Sequence, residues 1–493
     1  MNSRLFPPWL LVLLVTAGFA VLAWSAVEQY RSRGGDDEVA YRGMVDGLYA
    51  NHRLPGPNEN AEFALPPAVP ALGVALTWAF NPVKPDRASP VLQSLPRLAR
   101  RLLWLALVLG GGLLVAGGRR LEPRRLMGVG LWLAALAWAW AYVDAATNNE
   151  AWLPIVLIDY VSAVALVPIA ALLAHEVWPD RRWAPPLGAV AATLLPPVFA
   201  AGLYFHPDPP FAAIASAAAL LVVRALRMGL SVWRGIAAGL VLAATALTRQ
   251  SGALVAILLL GSTLVVARRR AVPYVVAAAA VLVLAVGPWW IHQYHVYDDP
   301  LRANLNRPGY MIDHYPRSFY VSLPLALVTH PYRDSFQYAL LPRFHAYLWS
   351  DWGGNYHDWD DPKPHARTLA STQSVLGLGG DALVLVGLAA FGLPALLRSL
   401  RRRGDARDGV LTVLTVFFVL TWAAYIVELI RFPQKGGDPI KAHYLLFLAP
   451  AAIVFAMASG SWLVGRGGWP RRLLFGWLAL YAASWALTIA TAF

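Results

Sequence analysis

The sequence predicts an all-α polytopic membrane protein with about 13 transmembrane helices and two large extracytoplasmic loops. Three observations predict it. The chain is 58% hydrophobic and only 14% charged, where an ordinary soluble domain carries about 25% charged residues. Apolar runs such as 151–173 and 271–291 exceed the roughly 18 residues needed to cross a bilayer. The short turns between such runs hold clusters of Arg. The 493 residues contain no Cys, which excludes disulfides, a thiol nucleophile and Cys-ligated zinc or iron–sulfur centres.

The first run, 9–27, follows Arg4 and reads as a retained signal anchor rather than a cleaved signal peptide. Further spans are expected at 102–117, 125–146, 151–174, 184–204, 209–226, 235–248, 251–267, 271–292, 381–397, 409–430, 441–464 and 471–493. The stretch 66–80 is short and Pro-bounded, and is placed in the membrane interface as a juxtamembrane helix. Every short basic turn then falls on one side: Arg119–Arg120 with Arg124–Arg125, Arg181–Arg182, Arg224 to Arg234, Arg268–Arg270, Arg398 to Arg407, and Arg466 to Arg472. By the positive-inside rule that side is cytoplasmic, with the N-terminus inside and the C-terminus outside.

The net charge of +13 is thus a topology signal, and no nucleic-acid partner is expected. The chain is expected to sit in the inner (cytoplasmic) cell membrane. It divides into a module at 1–292, whose first outer loop is 28–101, a large extracytoplasmic loop at 293–380, and C-terminal helices at 381–493. The two outer segments are rich in Asp, His, Trp, Tyr and Pro, as a folded site would need.

Several clusters fall on the outer side. Asp36, Asp37 and Glu38 are consecutive carboxylates that repel one another; one can serve as a base toward a hydroxyl, or all can decorate a helix N-terminus. Glu62 precedes Pro66-Pro67. His206-Pro207-Asp208-Pro209-Pro210 forms a short stiff turn, in which Asp208 either caps the next helix or belongs to a site. Arg249 interrupts the hairpin 235–267 and should face the protein interior or snorkel outward. Lys435 and Lys441-Ala442-His443-Tyr444 add basic groups, and converging cations suit an anionic ligand such as a phosphate.

Asp159 is an intramembrane acid, which marks either a functional position or a hydrogen bond between helices. The segment Trp349–Asp361 interleaves aromatic rings with Asp, Asn and His, a composition that suits carbohydrate or the packing of a lid. His345, Asp351 and His357 offer metal ligands at a spacing that matches no strong motif.

In order along the chain these pieces are Asp37-Glu38-Val39-Ala40-Tyr41, Glu62 before Pro66-Pro67, Asp208-Pro209, Thr248-Arg249 and Lys441-Ala442-His443-Tyr444. In that order the chain resembles a GT-C-type integral-membrane glycosyltransferase, similar to bacterial relatives of dolichyl-phosphate-mannose protein mannosyltransferases and to the lipid A aminoarabinose transferases. It departs from the pattern at Ala64-Leu65, where a His or Lys often stands, and at Arg249, which replaces a Lys.

The resemblance implies inverting transfer of a hexosyl or pentosyl group from a polyprenyl-phosphate sugar donor to a lipid, protein or polysaccharide acceptor on the outer face. Asp37, with Glu38, would supply the general base. Arg249, with Lys441 or His443, would hold the departing lipid phosphate. Tyr41, His206 and Tyr444 would bind substrate. Asp208 and Glu62 would orient substrate or help to bind a divalent cation.

Two other readings compete. A polymerase or ligase using a diphosphate-linked donor shares the outer loop and basic groups, but does not require Asp37-Glu38 directly after the first span. A transporter or lipid flippase needs ionisable groups along a path through the membrane, and Asp159 is the one strong mid-span acid.

Overall fold

The structure is a computed structural model. It describes residues 7–29, 66–80, 153–203, 206–300, 365–431 and 441–492, with parts of 41–48 and of 315–351. These residues are helical, and eight stretches are long and apolar enough to cross a membrane. The expected spans at 102–117 and 125–146 lie outside the described residues.

Helix α1 is Pro8–Gln29, and α2, Ala68–Phe80, packs against α3, Leu153–Val177. The chain then forms α4 (Ala184–Thr193), α5 (Pro196–Ala200), α6 (Asp208–Met228), α7 (Val232–Thr248) and α8 (Gly252–Ala267). After a 3₁₀ turn at Arg268–Ala271 comes α9 (Val272–Tyr297). The 46-residue apolar stretch Gly252–Tyr297 is about twice a bilayer-spanning length and forms a hairpin, which reverses at Arg268 with φ of 53°. Short helices α10 (Arg317–Val321) and α11 (Leu340–Trp349) belong to the large loop. Helix α12 (Ala366–Gly387) continues through a π turn, Leu388–Gly392, into α13 (Leu393–Leu400). The chain ends with α14 (Ala406–Arg431), a 3₁₀ segment Ala442–Leu448, α15 (Ala449–Arg466) and α16 (Gly468–Ala492).

Two spans differ from expectation. The run 184–204 is not one helix but breaks between Thr193 and Pro196. Pro197 has no N–H to give the Thr193 carbonyl, and the Val198 N–H bonds Leu195 instead of Leu194. Helix α16 satisfies both orphaned acceptors: the Trp485 Nε1–H donates to Thr193 O at 3.2 Å and the Tyr481 hydroxyl to Leu194 O at 3.0 Å. A break inside lipid is tolerated when neighbouring helices satisfy the freed groups in this way. The second difference is that the span expected from 381 begins at Ala366. Its first turns carry Thr, Ser and Gln and read as loop, but Gln373 donates to Thr488 of α16 at 2.7 Å.

Helices α3 and α6 run in parallel, and this defines the two ends of the bundle. At their C-termini Arg224 and Arg227 meet Glu176, at 3.2 and 3.5 Å. The same end holds Arg407 over the Trp178 ring and the bond from Arg268 to the Leu400 carbonyl. Their N-termini hold Asp159, His206 and Asp208.

Candidate active site

Three prolines fix the turn that carries His206 and Asp208. Pro207 is the N-cap of α6, while Pro209 and Pro210 occupy the first turn, where a missing N–H costs nothing. The turn is also tied down from below: the His206 backbone N–H donates to Asp159 Oδ2 at 2.5 Å. Of the two readings of Asp159, the inter-helix hydrogen bond is therefore the one seen, and it serves the site indirectly.

Asp208 is the first residue of its helix and Pro207, not Asp208, is the N-cap. Asp208 is fully buried, and three basic side chains surround it. His206 Nδ1 lies 2.7 Å from Oδ2. The Asp208 backbone N–H donates to the same nitrogen at 3.4 Å. Arg249 Nη1 pairs with Oδ1, and His443 Nε2 is 3.6 Å from Oδ2. An acid at the positive end of a helix gains from the dipole as well.

Arg249 reaches Asp208 because α7 ends abruptly. Its residue is extended, at φ −152° and ψ 142°, and the chain re-enters a helix three residues later. Gly252 makes this possible, since a Cβ there would strike the backbone of Thr245 and Ala246. The guanidinium faces inward, 4.6 Å from the Tyr444 ring centroid, and Lys441 Nζ lies 5.8 Å from the same ring. Tyr41 packs edge-on to His206 with centroids 4.8 Å apart.

The 3₁₀ form of 442–448 sorts its neighbourhood. Side chains three apart eclipse one another in such a helix. Lys441, Tyr444 and Phe447 make one row, on which Tyr444 meets Arg249 and Phe447 meets Phe211 of α6. Ala442, Leu445 and Leu448 make another row, which together with Leu446 lines a cavity of about 1550 Å³. That cavity is bounded largely by apolar side chains of α11, α12, α14, α15 and α16, among them Phe344, Leu348, Trp422 and Trp477. A polar cluster and a half-open apolar chamber thus meet at this segment.

Of the expected site residues, Tyr41, His206, Asp208, Arg249, Lys441, His443 and Tyr444 come together. Asp37, Glu38, Glu62 and Lys435 lie outside the described residues. Of the metal ligands expected in the large loop, His357 lies outside the described residues, and among the described residues the two ring nitrogens of His345 face Asp381 and the Ser374 carbonyl rather than Asp351. Sequence reasoning missed Tyr347, whose ring stands edge-on to His443 at 6.4 Å; one Tyr in an aromatic-rich loop gives no signal of its own.

The imidazole nitrogens of His206 and His443 and the Asp208 carboxylate lie within 4.8 Å of one another. The donor set nonetheless fits a divalent cation poorly. Ligand atoms around a tetrahedral metal stand about 3.3 Å apart, Arg249 already holds one Asp208 oxygen, and Lys441 adds a second positive charge nearby. The arrangement suits an anion instead.

No protein-family model matches the chain, and no curated protein does. Among solved structures, the crystal structure of ArnT from Cupriavidus metallidurans bound to undecaprenyl phosphate is 16% identical, over 92% of this chain and 78% of that one, with a TM-score of 0.33.

Proposed function

We propose that the protein is a membrane glycosyltransferase that uses a polyprenyl-phosphate sugar donor. One observation carries the reading: Asp208, Arg249, His443 and Tyr444, drawn from three distant segments, converge at the end of the bundle opposite its arginine-rich end, beside a half-open apolar chamber. A ligand with a phosphate head and a long hydrocarbon chain matches the cluster and the chamber together.

In this reading Arg249 and Lys441 hold the phosphate, Arg through a planar fork of donors. Asp208 and His206 keep the guanidinium in place, and Tyr444 gives it a face to lie on. Asp37 takes the proton of the acceptor hydroxyl as its oxygen bonds to the anomeric carbon and the carbon–oxygen bond to phosphate breaks, inverting that centre. The lipid phosphate departs with the bonding electrons and is stabilised by the same cations. Tyr41 closes the Asp37–Tyr41 motif in the sequence and touches His206, which supports a role for that motif at this cluster. The arginine-rich end is cytoplasmic by the positive-inside rule, and transfer takes place on the outer face.

The test is transfer of labelled sugar from a polyprenyl-phosphate donor by the protein in nanodiscs supplied with cell-envelope extract. Asp37→Asn is expected to lower turnover by about 10²- to 10⁴-fold and to leave lipid-phosphate binding intact. Undiminished turnover sinks the base assignment, and failure of the unsubstituted protein to bind polyprenyl phosphate sinks the reading as a whole.

A further inference from the structure

Helix α11 separates the chamber from the polar cluster. Leu341, Phe344, His345 and Leu348 line the chamber, at the three- and four-residue spacing of one helix face. Tyr347 points the other way, to His443. The position of this helix therefore sets one edge of the site, and something must hold it there.

A polar cluster with a half-buried carboxylate at its centre does so. His345 is 6% exposed; its Nε2 is 2.9 Å from the Ser374 carbonyl and its Nδ1 is 2.5 Å from Asp381 Oδ2. A carbonyl can only accept, so Nε2 carries a proton. Whether the ring or the carboxyl owns it, a second proton lies between Nδ1 and Oδ2. The other oxygen, Oδ1, accepts from Trp349 Nε1 at 2.7 Å. Two residues of α11 thus bond one carboxyl of α12. The fit is close: a Cβ at Gly377 or Gly380 would strike the Trp349 ring, so α12 presents bare backbone where the indole lies.

We propose that His345 and Asp381 are positioning residues, a hydrogen-bonded bolt between α11 and α12 that fixes Tyr347 against His443 beside Asp208. The functional half of this inference rests on reading the cluster as a lipid-phosphate site; the structural half does not. The bolt works through hydrogen bonds rather than net charge. Asn at position 381 keeps it, because Oδ1 still accepts from Trp349 and Nδ2 donates to the Nδ1 of a neutral His345. Leu, of nearly the same shape, removes it.

The test places 3-fluorotyrosine at position 347 and follows its ¹⁹F resonance in detergent micelles, with thermal unfolding to establish that each variant is folded. His443→Ala gives the resonance of a Tyr347 without its neighbour. Asp381→Leu should move the signal toward that value and weaken polyprenyl-phosphate binding about tenfold, whereas Asp381→Asn should change neither. Trp349→Phe loses the indole donor together with part of the ring that lies on Gly380, so a smaller move in the same direction is expected; it decides the matter if the Leu variant does not fold. An unmoved resonance in a folded Leu variant, or in Trp349→Phe when only that variant folds, overturns the bolt. An Asn variant that moves as far as Leu does the same. A moved resonance with unchanged lipid-phosphate binding overturns the positioning role. If the unsubstituted protein binds no polyprenyl phosphate, the functional reading fails by itself and the resonance still decides the bolt.

Discussion

Asp208 has no solvent to stabilise its charge, so the groups around it must. Arg249→Ala leaves a buried carboxylate short of its main partner, and loss of one partner of such a pair costs about 3–5 kcal/mol. The variant should unfold at lower temperature and lose more affinity for polyprenyl phosphate than for acceptor. Arg249→Lys keeps the charge and loses the fork, so its binding defect should be smaller; equal defects in a direct binding titration would count against the phosphate role. The poor fit of the donor set to a cation gives a separate expectation: transfer activity should survive exhaustive chelation, and a loss restored by one added metal would reverse that conclusion. At this scale much was legible in the sequence. Asp208, Arg249 and His443 stand out because ionisable groups beside apolar runs are costly. The 2.5 Å bond from the His206 backbone to Asp159 was not legible, since nothing in a sequence says which of two helices will meet an acid.

Among the elements, the break between α4 and α5 makes the sharpest demand on its neighbours. Tyr481→Phe removes the hydroxyl that bonds Leu194 O and nothing else, so it should destabilise by about 1–2 kcal/mol, measured by unfolding in detergent. No change would mean that the carbonyl finds another donor. Long apolar runs predicted most helices within a few residues, because length and hydropathy are local properties. The break itself, like the early start of α12, was hidden for a physical reason. The paired prolines at 196 and 197 are visible in the sequence, but whether a helix stops there depends on donors almost three hundred residues away. Polar residues at 368–374 read as loop until α16 supplies partners.

For the whole molecule, the separation of an arginine-rich end from the Asp208 end predicts orientation in the membrane. The absence of Cys makes the test direct. Trp233→Cys, at an exposed position beside Arg234 near the arginine-rich end, should react with an impermeant maleimide only after cells are opened, and Val321→Cys should react in intact cells. The reverse pattern would invert the topology and move the proposed chemistry to the cytoplasm.

The π turn at Leu388–Gly392 has a consequence for how the bundle is wound. It adds one residue to a turn, and one residue is about 100° of rotation in an α-helix. Above the turn, α12 packs on α11, α15 and α16; below it, α13 packs on α14 and α8. A single rod thus turns in phase with one set of neighbours and then with another, as a shaft with an offset coupling would. Deleting Ala389 should straighten the coupling and swing Arg398 away from Asp408, to which it now donates twice, at 2.8 and 2.6 Å. Such a rod should tolerate residue exchange on either side of the turn, but not a change of length between the two sides.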